Sequence, residues 1–260
     1  MPIDTSVQGL RVIVTAGGAG IGRRIATRFH EHGANVFVCD VSETALAELK
    51  GIEPKIGTVL ADVGNPAAVG RLFDTALPVL GGLDVLVNNA GISGPTAAAE
   101  DVTPADWDRT LAVNISGQFY CARLAIPAMK QAGGGSIVNI SSTSGKTGLP
   151  LRIPYAVSKH AVMGLTETLA REVGPSGIRV NTILPGFMNN ARSQRIIREK
   201  SAALAITPEA YLDQGLQYVS LRTMIEEVEI ADMALFLCSP AARHVSGQHI
   251  GVCGNVEFER

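Results

Sequence analysis

The sequence is poor in aromatic residues, which make up 5% of its 260 positions. A pocket for a large lipophilic ligand leans on aromatic walls, so a small ligand is the better expectation. Cysteine is scarce as well: Cys39, Cys121, Cys238 and Cys253 stand far apart and match no metal-ligand spacing. No metal site is therefore expected. A disulfide framework is out of place in a chain this long, which points to a reducing compartment, the cytoplasm. An excess of one charge is missing too, with 22 basic against 24 acidic residues. That balance excludes the usual reasons to expect a nucleic acid or a membrane surface as partner. No apolar run approaches the roughly 20 residues that span a bilayer. Residues 1–8 are short and polar and lack the hydrophobic stretch of a signal peptide.

What the chain does have is a long alternation of short apolar runs and helix-like stretches. Candidate strands fall at 11–14, 35–39, 56–60, 83–87, 136–140, 179–183 and 249–252. They are rich in Val and Ile without alternation, the mark of strands buried on both faces. The segments between them, such as 103–131 and 155–174, carry apolar residues at helical spacing. Together these predict one domain over 1–260, a Rossmann-type doubly wound parallel α/β sheet of about seven strands. The stretch 187–220 is helix-prone, adds no strand and follows the sixth strand directly; its length and place predict a helical lid over the active site.

The first strand runs into Thr15-Ala16-Gly17-Gly18-Ala19-Gly20-Ile21-Gly22, after which a helix begins. Glycines let backbone approach a pyrophosphate, and the helix N-terminus offers free N–H groups and a positive dipole end. Gly17, Gly18, Gly20, Ile21 and Gly22 are thus candidate cofactor contacts. The second strand ends at Asp40, 18 residues beyond Gly22. A carboxylate there accepts hydrogen bonds from ribose hydroxyls and repels a 2′-phosphate, which favours NAD over NADP. Capping of the next helix is the alternative role for Asp40, although Ser42 suits it equally.

Chemistry is suggested further on. Residues 136–142 form an apolar strand ending in Ser141 and Ser142, and after a loop come Pro154, Tyr155 and Lys159. Proline starts helices, so Tyr155 belongs to a first turn and shares a face with Lys159. A free phenol is a weak base near neutrality, and a nearby ammonium stabilises the phenolate. Tyr155 then takes a proton from an alcohol, or returns one to a carbonyl, while Ser142 donates to the same oxygen.

These motifs, with Asp62-Val63, Asn88-Asn89-Ala90-Gly91, Asn114, Asn181 and Pro185-Gly186, come in an order that resembles the short-chain dehydrogenase/reductase family over essentially the whole chain. The 13-residue gap between Ser142 and Tyr155 matches the family spacing and selects Ser142 over Ser141. The resemblance implies a nicotinamide cofactor. Asp62 and Val63 would meet the adenine, Asn89, Ala90 and Gly91 would line the cleft, and Pro185, Gly186 and Met188 would border the nicotinamide. Lys159 would also hold the nicotinamide ribose, and Asn114 would position a water behind Lys159. A homotetramer, or a homodimer, is implied as well. Three positions depart from the pattern: Ala16 replaces a glycine, with Gly17 and Gly18 expected to relieve the turn. Asn190 replaces a threonine that holds the nicotinamide carboxamide, and Cys253-Gly254-Asn255 replaces Asp-Gly-Gly.

For the substrate, walls are expected from Ser93, Gly94 and residues 144–152, Ser144 included, and from the lid. Hydroxybutyrate dehydrogenases of the family carry a basic residue where Arg152 stands, and an arginine fork suits a carboxylate or sulfonate. Lys146, Arg192 and Arg195 would extend that positive field. A solvent-facing arginine or a subunit contact is the alternative for Arg152. The reading is an NAD(H)-dependent oxidoreductase of a small secondary alcohol, with sugar or polyol oxidation and NADPH-dependent ketoacyl reduction as enzymatic alternatives. An inactive dinucleotide sensor is the non-enzymatic alternative.

Overall fold

In the computed structural model residues 3–256 are described, apart from the side chains of Arg192, Lys200 and Ala203. The substrate contact expected of Arg192 thus lies outside the described residues. Seven strands form where apolar runs predicted them: β1 (Arg11–Thr15), β2 (Asn35–Asp40), β3 (Gly57–Leu60), β4 (Val85–Asn88), β5 (Gly135–Ile140), β6 (Ile178–Pro185) and β7 (His249–Val252). They make one sheet in the order β3-β2-β1-β4-β5-β6-β7, every pairing parallel. Successive residues feed opposite cores. Val12, Val14, Val36 and Val38 pack with Ile25, Phe29 and Leu235 on one face. Ile13, Phe37 and Cys39 pack with Leu72, Phe73 and Met129 on the other. Both faces being buried, neither needs a polar residue, which is why the strands show no alternation.

The helices are α1 (Gly20–Glu31), α2 (Glu43–Ile52), α3 (Pro66–Leu80), α4 (Pro104–Leu111), α5 (Gly117–Gln131), α6 (Ile153–Val173), α7 (Ala191–Ala203), α8 (Pro208–Leu216) and α9 (Glu227–Cys238). Three of them begin alike, with a capping side chain followed by proline: Asn65-Pro66, Thr103-Pro104 and Thr207-Pro208. The cap satisfies an orphan N–H and the proline needs none. Ser42 caps α2 by accepting from the Ala45 N–H at 3.1 Å, so Asp40 does not serve that purpose. Helix α1 follows Ala19, which offers no capping side chain.

The helical pattern at 103–131 is not one helix. A π-helical turn, Ala112–Ser116, separates α4 from α5 and carries Asn114. Such bulges re-aim side chains and recur at functional sites. The strandless excursion at 187–220 holds α7 and α8, and its base is closed by a parallel bridge between Met188 and Ile225. Burial pushes the thiol of Cys39 up to about 12, so it behaves as a small hydrophobe. No described helix is long and apolar enough to cross a membrane.

Candidate active site

Strand order reverses between β1 and β4, and ligands of open parallel sheets bind in the crevice beyond the strand ends at such a point. Thr15, the last residue of β1, ties the two strands together. Its buried hydroxyl accepts from the Asn89 and Ala90 N–H groups, each at 3.0 Å. Asn89 answers by donating from Nδ2 to the carbonyls of Thr15 at 3.0 Å and Ala16 at 3.2 Å. Asn89 therefore shapes the glycine turn from across the crevice.

At Gly17 and Gly22 the turn has no room for a side chain. A Cβ on Gly17 would stand 2.6 Å from Val38 Cβ, and one on Gly22 would overlap the Ala16 carbonyl and the Asn89 amide. The expectation that Gly17 and Gly18 relieve the missing glycine at Ala16 is corrected: Ala16 itself adopts the left-handed conformation, φ 50°, and Gly20 does so at φ 56°. An alanine methyl tolerates that region at a cost of about 1 kcal/mol. Gly22→Ala is expected to destabilise the turn by about 2 kcal/mol, visible as a lower melting temperature and weaker NADH binding. An unchanged melt would show that Ala16 and Asn89 move aside freely.

Asp40 ends β2 beside this turn and is 9% exposed. Its Oδ2 accepts from the Gly18 N–H and its Oδ1 from the Ser42 N–H, both at 3.0 Å. The carboxylate is thus fixed next to the backbone that would carry the dinucleotide. Asp62 accepts from the Gly64 N–H at 2.9 Å and pairs with Arg109 Nη1 at 2.8 Å. Arg109 comes from α4 and was not singled out in the sequence, since nothing local connects it to Asp62.

Farther along lie the residues singled out for chemistry. The Ser141 hydroxyl turns inward and donates to the Lys159 carbonyl at 2.7 Å. Ser142 is half-exposed, and its Oγ accepts from the Ser144 N–H at 3.2 Å, which leaves its own hydrogen to donate. Tyr155 is the third residue of α6, in the first turn as predicted. Lys159 is buried, 4% exposed, with its ammonium 5.7 Å from the Tyr155 ring centre and donating to the Ile140 carbonyl at 3.0 Å. Gln118 Nε2 shares that carbonyl at 3.4 Å.

Asn114 is wholly buried on the π turn. It accepts from the Ile92 N–H at 2.8 Å and donates to the Ile92 carbonyl at 2.9 Å and to Ser158 Oγ at 3.0 Å. A Cβ on Gly91 would stand 3.3 Å from Lys159 Nζ and 3.4 Å from Asn114 Oδ1, so glycine is what lets these two groups meet the β4 loop. Arg152 does not face away. Its Nη2 donates to the Ser93 carbonyl at 2.7 Å, and its guanidinium carbon lies 5.1 Å from the Tyr155 ring centre.

Met188, at the base of the 187–220 excursion, is 8% exposed and packs in the core cluster. Asn190 Oδ1 accepts from the Ser193 N–H at 2.9 Å, capping α7, so the amide oxygen is already engaged. The carbonyls of Gly254 and Asn255 accept from the Leu221 and Ser220 N–H groups at 3.1 and 3.0 Å, pinning residues 254–255 against the end of the 187–220 excursion.

A family model described as enoyl-(acyl carrier protein) reductase matches residues 15–255. The chain belongs to the short-chain dehydrogenase/reductase family. A D-beta-hydroxybutyrate dehydrogenase from Rhizobium meliloti is 34% identical over 251 residues, covering 93% of this chain and 96% of its own length. The solved structure of 7α-hydroxysteroid dehydrogenase with NADH and 7-oxo glycochenodeoxycholic acid is 34% identical, with TM-score 0.87 over 98% of this chain and 97% of that one. A variant of actinorhodin polyketide ketoreductase with NADPH is 32% identical, with TM-score 0.87 over 95% and 96%. These two relatives of known structure thus hold a nicotinamide dinucleotide, one reduced NAD and one reduced NADP. The crowded glycine turn and the uncapped start of α1 fit such a cofactor in this family member too.

Proposed function

We propose that this chain is an NAD(H)-dependent oxidoreductase that interconverts a small secondary alcohol, bearing an anionic group, and its ketone. The observation that carries the reading is the buried Lys159 ammonium, 5.7 Å from the Tyr155 ring centre and bonded to the last carbonyl of β5, just before Ser141 and Ser142. When bound, the dinucleotide accepts or supplies the hydride. Gly17, Gly18, Gly20, Ile21 and Gly22 would cradle its pyrophosphate, with Asp62 and Val63, Asn89 to Gly91, and Pro185, Gly186 and Met188 along its length. The rest falls to side chains. Tyr155 Oη holds the proton shared with the substrate oxygen, and Ser142 Oγ donates to that oxygen. Lys159 stabilises the phenolate by its charge. Asn114 locks the Ile92 backbone and faces Lys159 across Gly91, where a water completing a proton path would sit. The lid at 187–220 excludes bulk water.

Asp40 supports NAD over NADP because a 2′-phosphate would meet a carboxylate already fixed by the Gly18 N–H. The anionic substrate is supported by Arg152 beside Tyr155 and by the hydroxy acid in the name of the hydroxybutyrate dehydrogenase relative. Self-assembly as a homotetramer or homodimer is supported by exposed Leu151, Ile153 and Val157 near the start of α6.

The test is a 340 nm assay offering NAD and NADP with hydroxy acids, hydroxysulfonates, polyols and simple secondary alcohols. Activity with NAD and an anionic alcohol bears the reading out. Activity with neutral substrates alone removes the anionic requirement, and a preference for NADP removes the role given to Asp40. In the active enzyme, Asp40→Asn is expected to raise the NADP-to-NAD ratio of kcat/KM about tenfold, since one full charge leaves the ribose site. A ratio that stays put would mean that something other than Asp40 selects the cofactor.

A further inference from the structure

The start of α1 has a neighbour of the wrong sign. Helix α9 packs along α1, and its first turn places Glu227 by the glycine turn: a Cβ built on Gly20 would lie 3.6 Å from Glu227 Oε1. Gly20 is the first residue of α1, where unpaired N–H groups and the positive end of the helix dipole face an anion. Two other carboxylates of that turn are engaged elsewhere. Glu226 accepts from Asn189 Nδ2 at 2.6 Å, and Glu229 accepts from the Glu226 N–H at 2.7 Å in a reciprocal cap. Glu227 takes no part in that cap, and among the described residues no cation pairs with it. It is half-buried, where screening by solvent is weaker than at the open surface.

We propose that Glu227 limits the affinity of the dinucleotide site, its carboxylate opposing the pyrophosphate held at the start of α1 and hastening cofactor departure. This rests on the reading that the turn binds a dinucleotide. The backbone N–H groups attract the pyrophosphate and Glu227 offsets part of that attraction. The opposition is electrostatic, so it acts equally on the oxidised and reduced cofactors and not on ligands without phosphate. In enzymes whose cycle ends with release of a tightly held product, a weaker grip speeds turnover.

The test is titration by NADH fluorescence at low salt with EDTA present, and stopped-flow displacement for the off-rate. Glu227→Gln keeps the size and removes the charge. It is expected to tighten NADH about tenfold, mostly through a slower off-rate, with the gain shrinking to below about twofold in 0.5 M salt. Adenosine, measured by displacement, should bind wild type and variant alike. Glu229→Gln removes a neighbouring charge while its amide oxygen still accepts from the Glu226 N–H, so it leaves the carboxylate at Gly20 in place and should leave NADH affinity within about twofold. Unchanged NADH affinity in Glu227→Gln, or equal tightening of adenosine, would overturn the proposal while leaving the dinucleotide reading intact. A wild type that binds neither NADH nor ADP-ribose would overturn both.

Discussion

Tyr155→Phe is expected to lower kcat about a thousandfold or more while NADH binding stays within about twofold of wild type. The substitution removes one oxygen and keeps the ring. The ring is what Arg152 covers at 5.1 Å and Lys159 approaches at 5.7 Å, so the packing of the first turn of α6 has no reason to change. Lys159 also stays anchored, because the Ile140 carbonyl that it bonds belongs to β5 and not to Tyr155. Only the phenolic oxygen, the group proposed to carry the proton, is lost. Two measurements separate chemistry from binding: steady-state turnover at 340 nm and fluorescence titration with NADH. Residual activity near wild type would assign the proton to another group, with Ser142 the nearest alternative. Parallel loss of turnover and NADH affinity would instead mean that the phenol holds the cofactor site together.

The strands were legible because their signal is local. A Val- and Ile-rich run with no alternation needs both faces covered, and in a chain that alternates strand and helix only a parallel sheet supplies that. The placement of the candidate pair on α6 was legible for another reason: Pro154 places Tyr155 in the first turn, and helical spacing places Lys159, without any knowledge of the rest of the fold. What escaped depends on contacts across long stretches of chain. Nothing near Ala16 announces that it must take a left-handed conformation, because the demand comes from Asn89 gripping the turn from β4. The π turn at Ala112–Ser116 hides inside an unbroken helical pattern, since one extra residue in a turn leaves the apolar spacing almost intact. Arg109 meets Asp62, and Glu227 meets Gly20, only after α4 and α9 have docked. Asn190, read as a departure from the family's threonine, stands before α7, where its side-chain oxygen accepts from the Ser193 N–H, a contact set by the helix start that the position alone did not announce.

Arg152→Ala is expected to raise KM about a hundredfold for a short hydroxy acid and less than about threefold for the neutral analogue in which a hydroxymethyl group replaces the carboxylate. The position of the guanidinium makes the comparison sharp. Its bond to the Ser93 carbonyl holds it against the pocket wall, and Leu151, at φ 63°, accepts from the Ala97 N–H at 3.0 Å and fixes the backbone just before it. The charge is thus set about one side chain from the Tyr155 ring, within reach of an anionic group a carbon or two from the reacting oxygen. Alanine removes the charge and also uncovers the ring, so the neutral analogue measures the second effect alone. Arg152→Lys separates the two further: it returns the charge without the planar fork, and should recover only part of the lost affinity for the anion. Equal increases in KM for both substrates would make Arg152 a packing partner of Tyr155, and the anionic substrate would have to be abandoned. An increase confined to the hydroxy acid and partly reversed by lysine would establish the guanidinium as the group that selects the substrate.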